Sequence, residues 1–265
     1  MAQITPKVYS IESIAHPDPR GKVFPYLFVE DQNDLTLIDP FFLSQLPILE
    51  DYLIDIGYNI KNVKRIILTH VHMDHSQAAN EVKRKSGAKI YSHWIEARYL
   101  SQNPPYSGPP TAQETVNKLE KLGVSMETLT KEYGSFDVEP IMVDEQVSDG
   151  DMIGSLKVIH TPGHTPGHIS LYYEEDKLLL GADSIYKHVF GADGMYISAP
   201  QVSIDPVTAI VSAQRLSKVN FDKLLMAHQD SPLLEGAREA VETLVAQSIQ
   251  KLEIKDLIHL CYFFG

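Results

Sequence analysis

The first third of the chain alternates apolar and polar residues in short runs, each closed by a turn-forming cluster, which is the pattern of half-buried strands. "KVYSI" and "YLFVE" predict strands, and "VEDQNDLTLIDP" predicts a hairpin that turns at "DQND" and ends at Asp39-Pro40. In "FFLSQLPILEDYLIDIGYN" the apolar spacing becomes that of an amphipathic helix, closed by Gly57 and Asn59. "VKRIILT" reads as a buried strand that delivers His70 at its C-terminal end, the edge where α/β folds collect their sites. A helix over 76–85 and the strand "AKIYSH" follow. Strands return in "IMVDE", "LKVIHT" and "HISLYYEEDKLLLGAD". A helix starting near Asp205-Pro206, the strand "DKLLMAH" and a last helix at about 234–262 complete the chain. In that last helix Val241, Leu244, Val245, Ile249 and Leu252 keep one apolar face.

Two features set the architecture. Residues 97–140 change character: "SQNPPYSGPP" cannot be a continuous helix or a central strand, and helical segments follow it. This stretch is expected to be an insertion, either a lid or a surface elaboration. The second feature is a weak repeat. "YLFVEDQNDLTLIDP" and "SLYYEEDKLLLGAD" are both hairpins ending in an aspartate, each followed by a helix and then by a strand ending in a histidine, "RIILTH" and "KLLMAH". Two such halves predict an α/β protein of four layers, αββα, with two sheets face to face and helices outside.

Composition narrows the function. A chain of 265 residues fits one large α/β domain over 1–265. A formal charge of −12 argues against a nucleic-acid partner, which calls for clustered Lys and Arg. Cys261 stands alone, so no intramolecular disulfide forms; it is expected to be a small buried apolar group. Without a run of eighteen apolar residues or an apolar leader core, a cytoplasmic protein that does not enter membranes is expected. The C-terminal "LIHLCYFFG" is expected to pack on the core or in a homodimer interface.

The chemistry concentrates at residues 70–75, "HVHMDH". His70 and His72 share a face if the chain is extended, and Asp74 continues it. His75 leaves that face, so the segment must turn into the next helix, letting His75 share a second centre with Asp74. Imidazole and carboxylate suit zinc and other divalent first-row metals, so four side chains here can serve two adjacent ions.

This segment resembles the HxHxDH signature of the metallo-β-lactamase superfamily, and "TPGHTPGH", "GAD" and "MAH" follow in that family's order. The resemblance covers nearly the whole chain apart from the insertion and agrees with the αββα architecture. It implies that His70, His72 and His164 hold one ion, that Asp74, His75 and His228 hold the other, and that Asp183 bridges both. It also implies a hydrolase whose nucleophile is a hydroxide bridging the two ions, with Asp74 guiding the proton to the leaving group. Zinc is the default ion; manganese and iron accept the same ligands. His168 is expected to orient the loop, and His160 to be a structural strand residue. His16, His93, His188 and His259 are read as having no part in the site.

Membership does not name a substrate. The negative charge disfavours the family's nucleases, and His72 stands where the flavin-linked diiron members carry glutamate. Tyr186, three residues after Asp183, sits at the offset of a tyrosine in acylhomoserine lactonases, where a phenol can bond the substrate carbonyl. Arg238, Lys251 and Lys255 match no glutathione-gripping pattern. The expected reaction is cleavage of an acyl bond, ester, lactone or thioester, in a small molecule. A mononuclear iron sulfur dioxygenase-like enzyme, a phosphodiesterase or nuclease of the same superfamily, and a non-catalytic metal-binding protein are the alternatives.

Overall fold

In a computed structural model, residues 2–12, 22–102, 139–187, 194–198, 203–229 and 233–252 are described. The first half supplies strands β1 (Ala2–Thr5), β2 (Val8–Ser10), β3 (Lys22–Val23), β4 (Tyr26–Asp31), β5 (Asp34–Ile38), β6 (Val63–Leu68), β7 (Lys89–His93) and β8 (Glu145–Val147). Seven of these form a mixed sheet in the order β1-β2-β4-β5-β6-β7-β8. The second half supplies β9 (Met152–Ile153), β10 (Leu156–His160), β11 (Ile169–Tyr173), β12 (Leu178–Ala182), β13 (Ile185–Lys187), β14 (Met195–Ile197), β15 (Lys223–Met226), β16 (His228–Gln229) and β17 (Leu233–Glu235). Its sheet runs β17-β15-β12-β11-β10-β9, and β13-β14 and β3-β16 form two further two-stranded ribbons. Among the described residues the α-helices are α1 (Leu46–Asp55), α2 (Met73–Ser76), α3 (Ala79–Ser86), α4 (Trp94–Leu100), α5 (Pro206–Leu216) and α6 (Ala237–Gln250).

Period-2 alternation along the strands separates three apolar layers. In β4, Leu27 joins Leu46, Leu49 and Leu53 of α1 and Val82 of α3, while Tyr26 and Phe28 point the other way. There they meet Ile38 and Ile67, together with Val158, Leu171, Leu180 and Leu225 of the opposite sheet. Phe28 and Tyr173 cross this interface edge to face, with centroids 5.4 Å apart, a geometry worth about 0.5–1.5 kcal/mol beyond area burial. Leu179, Leu224 and Met226 face outward onto Ala213 and Leu216 of α5 and Val241 and Val245 of α6. Three cores between four layers give the αββα sandwich.

The repeat seen in the sequence is a repeat in space. β4 pairs antiparallel with β5 and β5 parallel with β6; β11 pairs antiparallel with β12 and β12 parallel with β15. Asp39, His70, Asp183 and His228 therefore all follow the C-terminal ends of parallel-paired strands.

Several expected boundaries need correction. The last helix runs Ala237–Gln250, not about 234–262: Leu233–Glu235 pairs antiparallel with β15, Gly236 turns the chain at a φ of 60°, and Lys251 ends the helix, residues from 253 on lying outside the described residues. The helix expected over 76–85 is two helices, α2 and α3. In "IMVDE" only Glu145 belongs to a strand; the Asp144 carboxylate instead accepts the Ile90 amide at 2.8 Å. Of the insertion expected at about 97–140, residues 97–100 lie in α4, and its body at 103–138 lies outside the described residues, as do His16, His188, His259 and Cys261. Among the described residues no helix is long and apolar enough to cross a membrane.

Candidate metal centre

The segment 69–72 leaves β6 as an irregular turn, and His72 caps the N-terminus of the one-turn helix α2. That turn brings His75 round toward the second half of the molecule. "TPGHTPGH" forms the opposing loop. Gly163, at a φ of 134°, packs so closely on α5 that a Cβ would lie 2.4 Å from the backbone of Ala209, so only glycine lets His164 reach inward. Asp205 caps α5 through the amides of Val207 and Thr208, and its own amide donates to the Gly163 carbonyl at 2.9 Å.

All seven residues expected as ligands are brought together. His70 Nε2 and His164 Nε2 lie 3.0 and 2.9 Å from His72 Nδ1, and Asp183 Oδ2 lies 3.2 Å from His164 Nε2 and 3.8 Å from His70 Nε2. Beside this group, His75 Nε2 and His228 Nε2 are 3.2 Å apart. Asp74 Oδ2 lies 3.3 Å from His228 Nε2 and 3.9 Å from His75 Nε2, and Asp183 Oδ1 lies 3.4 Å from His75 Nε2. Donors around a tetrahedral ion with bonds of 2.0–2.1 Å stand about 3.4 Å apart, so each group has the span of one small cation. Asp183 lies between them, Oδ1 facing His75 and Oδ2 facing His164 while also standing 3.6 Å from His228 Nε2.

The donor set fits cations on two further grounds. Asp183 is fully buried, its Oδ1 accepts no hydrogen bond, and its ion-pair partners among the described residues are all histidines. Burial works against its charge, but His228, His75 and His164 hold its carboxyl below the usual range. Burial keeps the His70 and His164 rings well below their ordinary range, hence neutral with a lone pair to give.

Hydrogen bonds behind the ligands choose the tautomers. Asp39 Oδ2 accepts the Thr69 hydroxyl at 2.7 Å, so Thr69 Oγ1 is free to accept from His70 Nδ1 at 3.0 Å. The same carboxylate oxygen accepts from His75 Nδ1 at 2.9 Å. Both rings are thereby turned with Nε2 toward the centre. Asp39 is thus occupied by these donors and serves as an orienting group, although its position beside His70 and His75 also has metal-ligand spacing. Sequence reasoning marked Asp39 as a hairpin end without assigning it this role; its equivalence to Asp183 in the repeat was the available signal.

His168 plays the orienting part expected of it. Its Nε2 accepts the Asp183 amide at 3.2 Å while Nδ1 faces Thr161 Oγ1 at 2.9 Å, and burial pushes its pKa down to about 3. His160 ends β10 and bonds the Pro166 carbonyl at 3.0 Å, stacked on His93 with centroids 4.2 Å apart. Tyr186 is fully buried, donates to Asp183 Oδ2 at 2.5 Å and stacks on His228. Glu96, which no sequence pattern singled out, accepts the amides of Val71 and Gly167, and burial raises its carboxyl to about 7.

His75 gives the metal-free protein a pH dependence. Burial opposes its charge, but Asp183, Asp74 and Asp39 outweigh it and raise the pKa from 6.5 to about 9. A raised value means stability fully present below about pH 6.5 and lost as pH climbs through 9. The melting temperature of the metal-free protein is expected to fall across that window, by the equivalent of a few kcal/mol. Cation uptake near pH 7 must displace this proton, which calorimetry in buffers of different ionisation heat will register.

Comparison with known proteins places the chain. Residues 19–225 match the model of the metallo-beta-lactamase superfamily. The chain is 28% identical over 156 residues to the probable metallo-hydrolase YybB of Bacillus subtilis, aligning 59% of each chain. It is 24% identical over 170 residues to the hydroxyacylglutathione hydrolase GloC of Haemophilus influenzae, aligning 62% of this chain and 68% of that one. It spans 59% and 45% of the lengths of YybB and of a second B. subtilis relative, YflN. In fold it is similar to the metallo-beta-lactamase family protein TTHA1429 of Thermus thermophilus, with a TM-score of 0.68, 22% identity and coverage of 94% and 81% of the two chains. BJP-1, a subclass B3 metallo-beta-lactamase of Bradyrhizobium japonicum, gives a TM-score of 0.61 at 19% identity over 98% and 95%. The chain belongs to the metallo-β-lactamase superfamily.

Proposed function

We propose that this protein is a dinuclear metal-dependent hydrolase that cleaves an acyl bond, ester, lactone or thioester, in a small molecule. The observation that carries the reading is the pair of adjacent, largely buried donor groups, with Asp183 within ion-pair distance of histidines of both. His70, His72 and His164 would hold one cation, Asp74, His75 and His228 the other, with Asp183 between them. Two such cations supply Lewis acidity toward water and toward an acyl oxygen. A complete second group of donors favours this over the mononuclear iron alternative, and hydroxyacylglutathione hydrolases among the relatives support an acyl substrate.

The chain's own residues then divide the work. Asp74, buried with Oδ2 3.3 Å from His228 Nε2, takes the proton lost by the attacking water on its carboxylate and returns it to the departing oxygen or sulfur. Tyr186 rests on Asp183 Oδ2 and turns its phenol to the acyl oxygen when substrate enters. Asp39 and His168 keep ligand rings and the Asp183 backbone in place.

Rates on matched lactones, thioesters, β-lactams and phosphodiesters, with zinc, manganese and iron loaded separately, test the reading. Turnover confined to the acyl substrates is expected; turnover on phosphodiesters alone, or oxygen consumption on a persulfide with iron, contradicts it. Tyr186→Phe is expected to keep both cations and lose about 100-fold in kcat on the preferred acyl substrate, the lower end of an electrophilic donor's contribution. Metal analysis together with steady-state kinetics checks this.

A further inference from the structure

Glu96 lies in the first turn of α4, fully buried, far in sequence from every expected ligand. Its Oε2 accepts the Val71 amide at 2.9 Å and its Oε1 accepts the Gly167 amide at 2.7 Å. Val71 is the residue between His70 and His72; Gly167 belongs to the loop that carries His164. One carboxylate thus joins the two chain segments whose three histidines make up the first donor group. The Val71 peptide is held from its other end as well, since Ser76 Oγ donates to the Val71 carbonyl at 3.0 Å. Fixing that amide fixes how His70 and His72 are presented to one another. At Gly167 there is no slack: a Cβ would stand 2.9 Å from Glu96 Cγ and Oε1. The remaining backbone tie between the same segments, Ile169 N to Thr69 O at 3.0 Å, lies at the strand ends and leaves the loop tips to Glu96. None of these bonds reaches Asp74, His75 or His228.

We infer that Glu96 is a positioning residue for the first cation position, its carboxylate clamping the His70–His72 turn to the His164 loop and so setting the spacing of those three imidazoles. The inference rests on the reading that the centre holds two cations. Both oxygens are needed, because each meets a separate N–H donor. Glutamine keeps the size of the side chain but offers one oxygen and an NH2 group, which would face an amide N–H and push it away.

The test is cobalt(II) titration of the metal-stripped full-length protein, followed by the visible spectrum and by calorimetry. Wild type is expected to take up two equivalents. Glu96→Gln is expected to weaken one of them by about 10- to 100-fold, the range for partners that orient metal ligands, with the other unchanged. The weakened position should be the one that His164→Ala removes, so that Glu96→Gln adds nothing in a His164→Ala background. Gly167→Ala, which keeps the carboxylate and displaces the loop, should reproduce the selective loss and keeps the inference testable if Glu96→Gln fails to fold. Wild-type affinities and spectrum in Glu96→Gln or in a folded Gly167→Ala would overturn the inference, as would an equal loss at both positions, while wild-type uptake of two equivalents would leave the two-cation reading standing. Uptake of fewer than two by the wild type would overturn both.

Discussion

Replacement of Asp183 by alanine is expected to have the largest effect of any single substitution: loss of metal-dependent turnover by more than about 100-fold, beyond the range of orienting partners, with metal content falling below two. Asp183 lies within reach of the inward-facing nitrogens of both donor groups, with Oδ2 near His164 and Oδ1 near His75. Without it two cations would repel each other with no carboxylate between them, and His75 would lose the carboxylate that contributes most to holding its proton. The buried Tyr186 hydroxyl would lose its acceptor too. Metal analysis and turnover on the preferred acyl substrate check this; a folded Asp183→Ala variant hydrolysing at the wild-type rate would end the mechanism.

The second large effect is expected at Asp39. Its carboxylate accepts the Thr69 amide and hydroxyl and His75 Nδ1, and through Thr69 it sets His70. Alanine leaves three buried donors unmet, each costing about 1–3 kcal/mol. Two ligand rings, one in each group, would be free to turn. Asp39→Ala is expected to melt at lower temperature and to bind both cations about 10- to 100-fold more weakly. Here the two positions suffer together, unlike Glu96→Gln. Cobalt titration alongside thermal melts separates the patterns, and wild-type binding by Asp39→Ala would show that tautomer control lies elsewhere.

How much of this was legible in the sequence depended on where each partner lies along the chain. His70, His72, Asp74 and His75 fall within six consecutive positions, so spacing alone marks them. His164, Asp183 and His228 are distant and were reached through the order of family motifs; the parallel pairings β5-β6 and β12-β15 explain why they meet. Asp39 was visible as half of a repeat. Glu96 left no trace, because it falls between the strand "AKIYSH" and the expected insertion, where no element is predicted, and its partners are backbone amides, which carry no side-chain signature. Tyr186 was singled out by its offset from Asp183, but its resting contact with that same carboxylate is a matter of three dimensions. The start of the last helix was misplaced because three residues, Leu233–Glu235, are too few for a strand pattern to be recognised.

The most direct measurement is an anomalous diffraction map from crystals of the cobalt-loaded protein. Two peaks about 3.5–4 Å apart are predicted, one among His70, His72 and His164, the other among Asp74, His75 and His228, with Asp183 between them. A single peak, or cobalt bound away from these residues, would contradict the dinuclear centre on which the proposed hydrolysis depends.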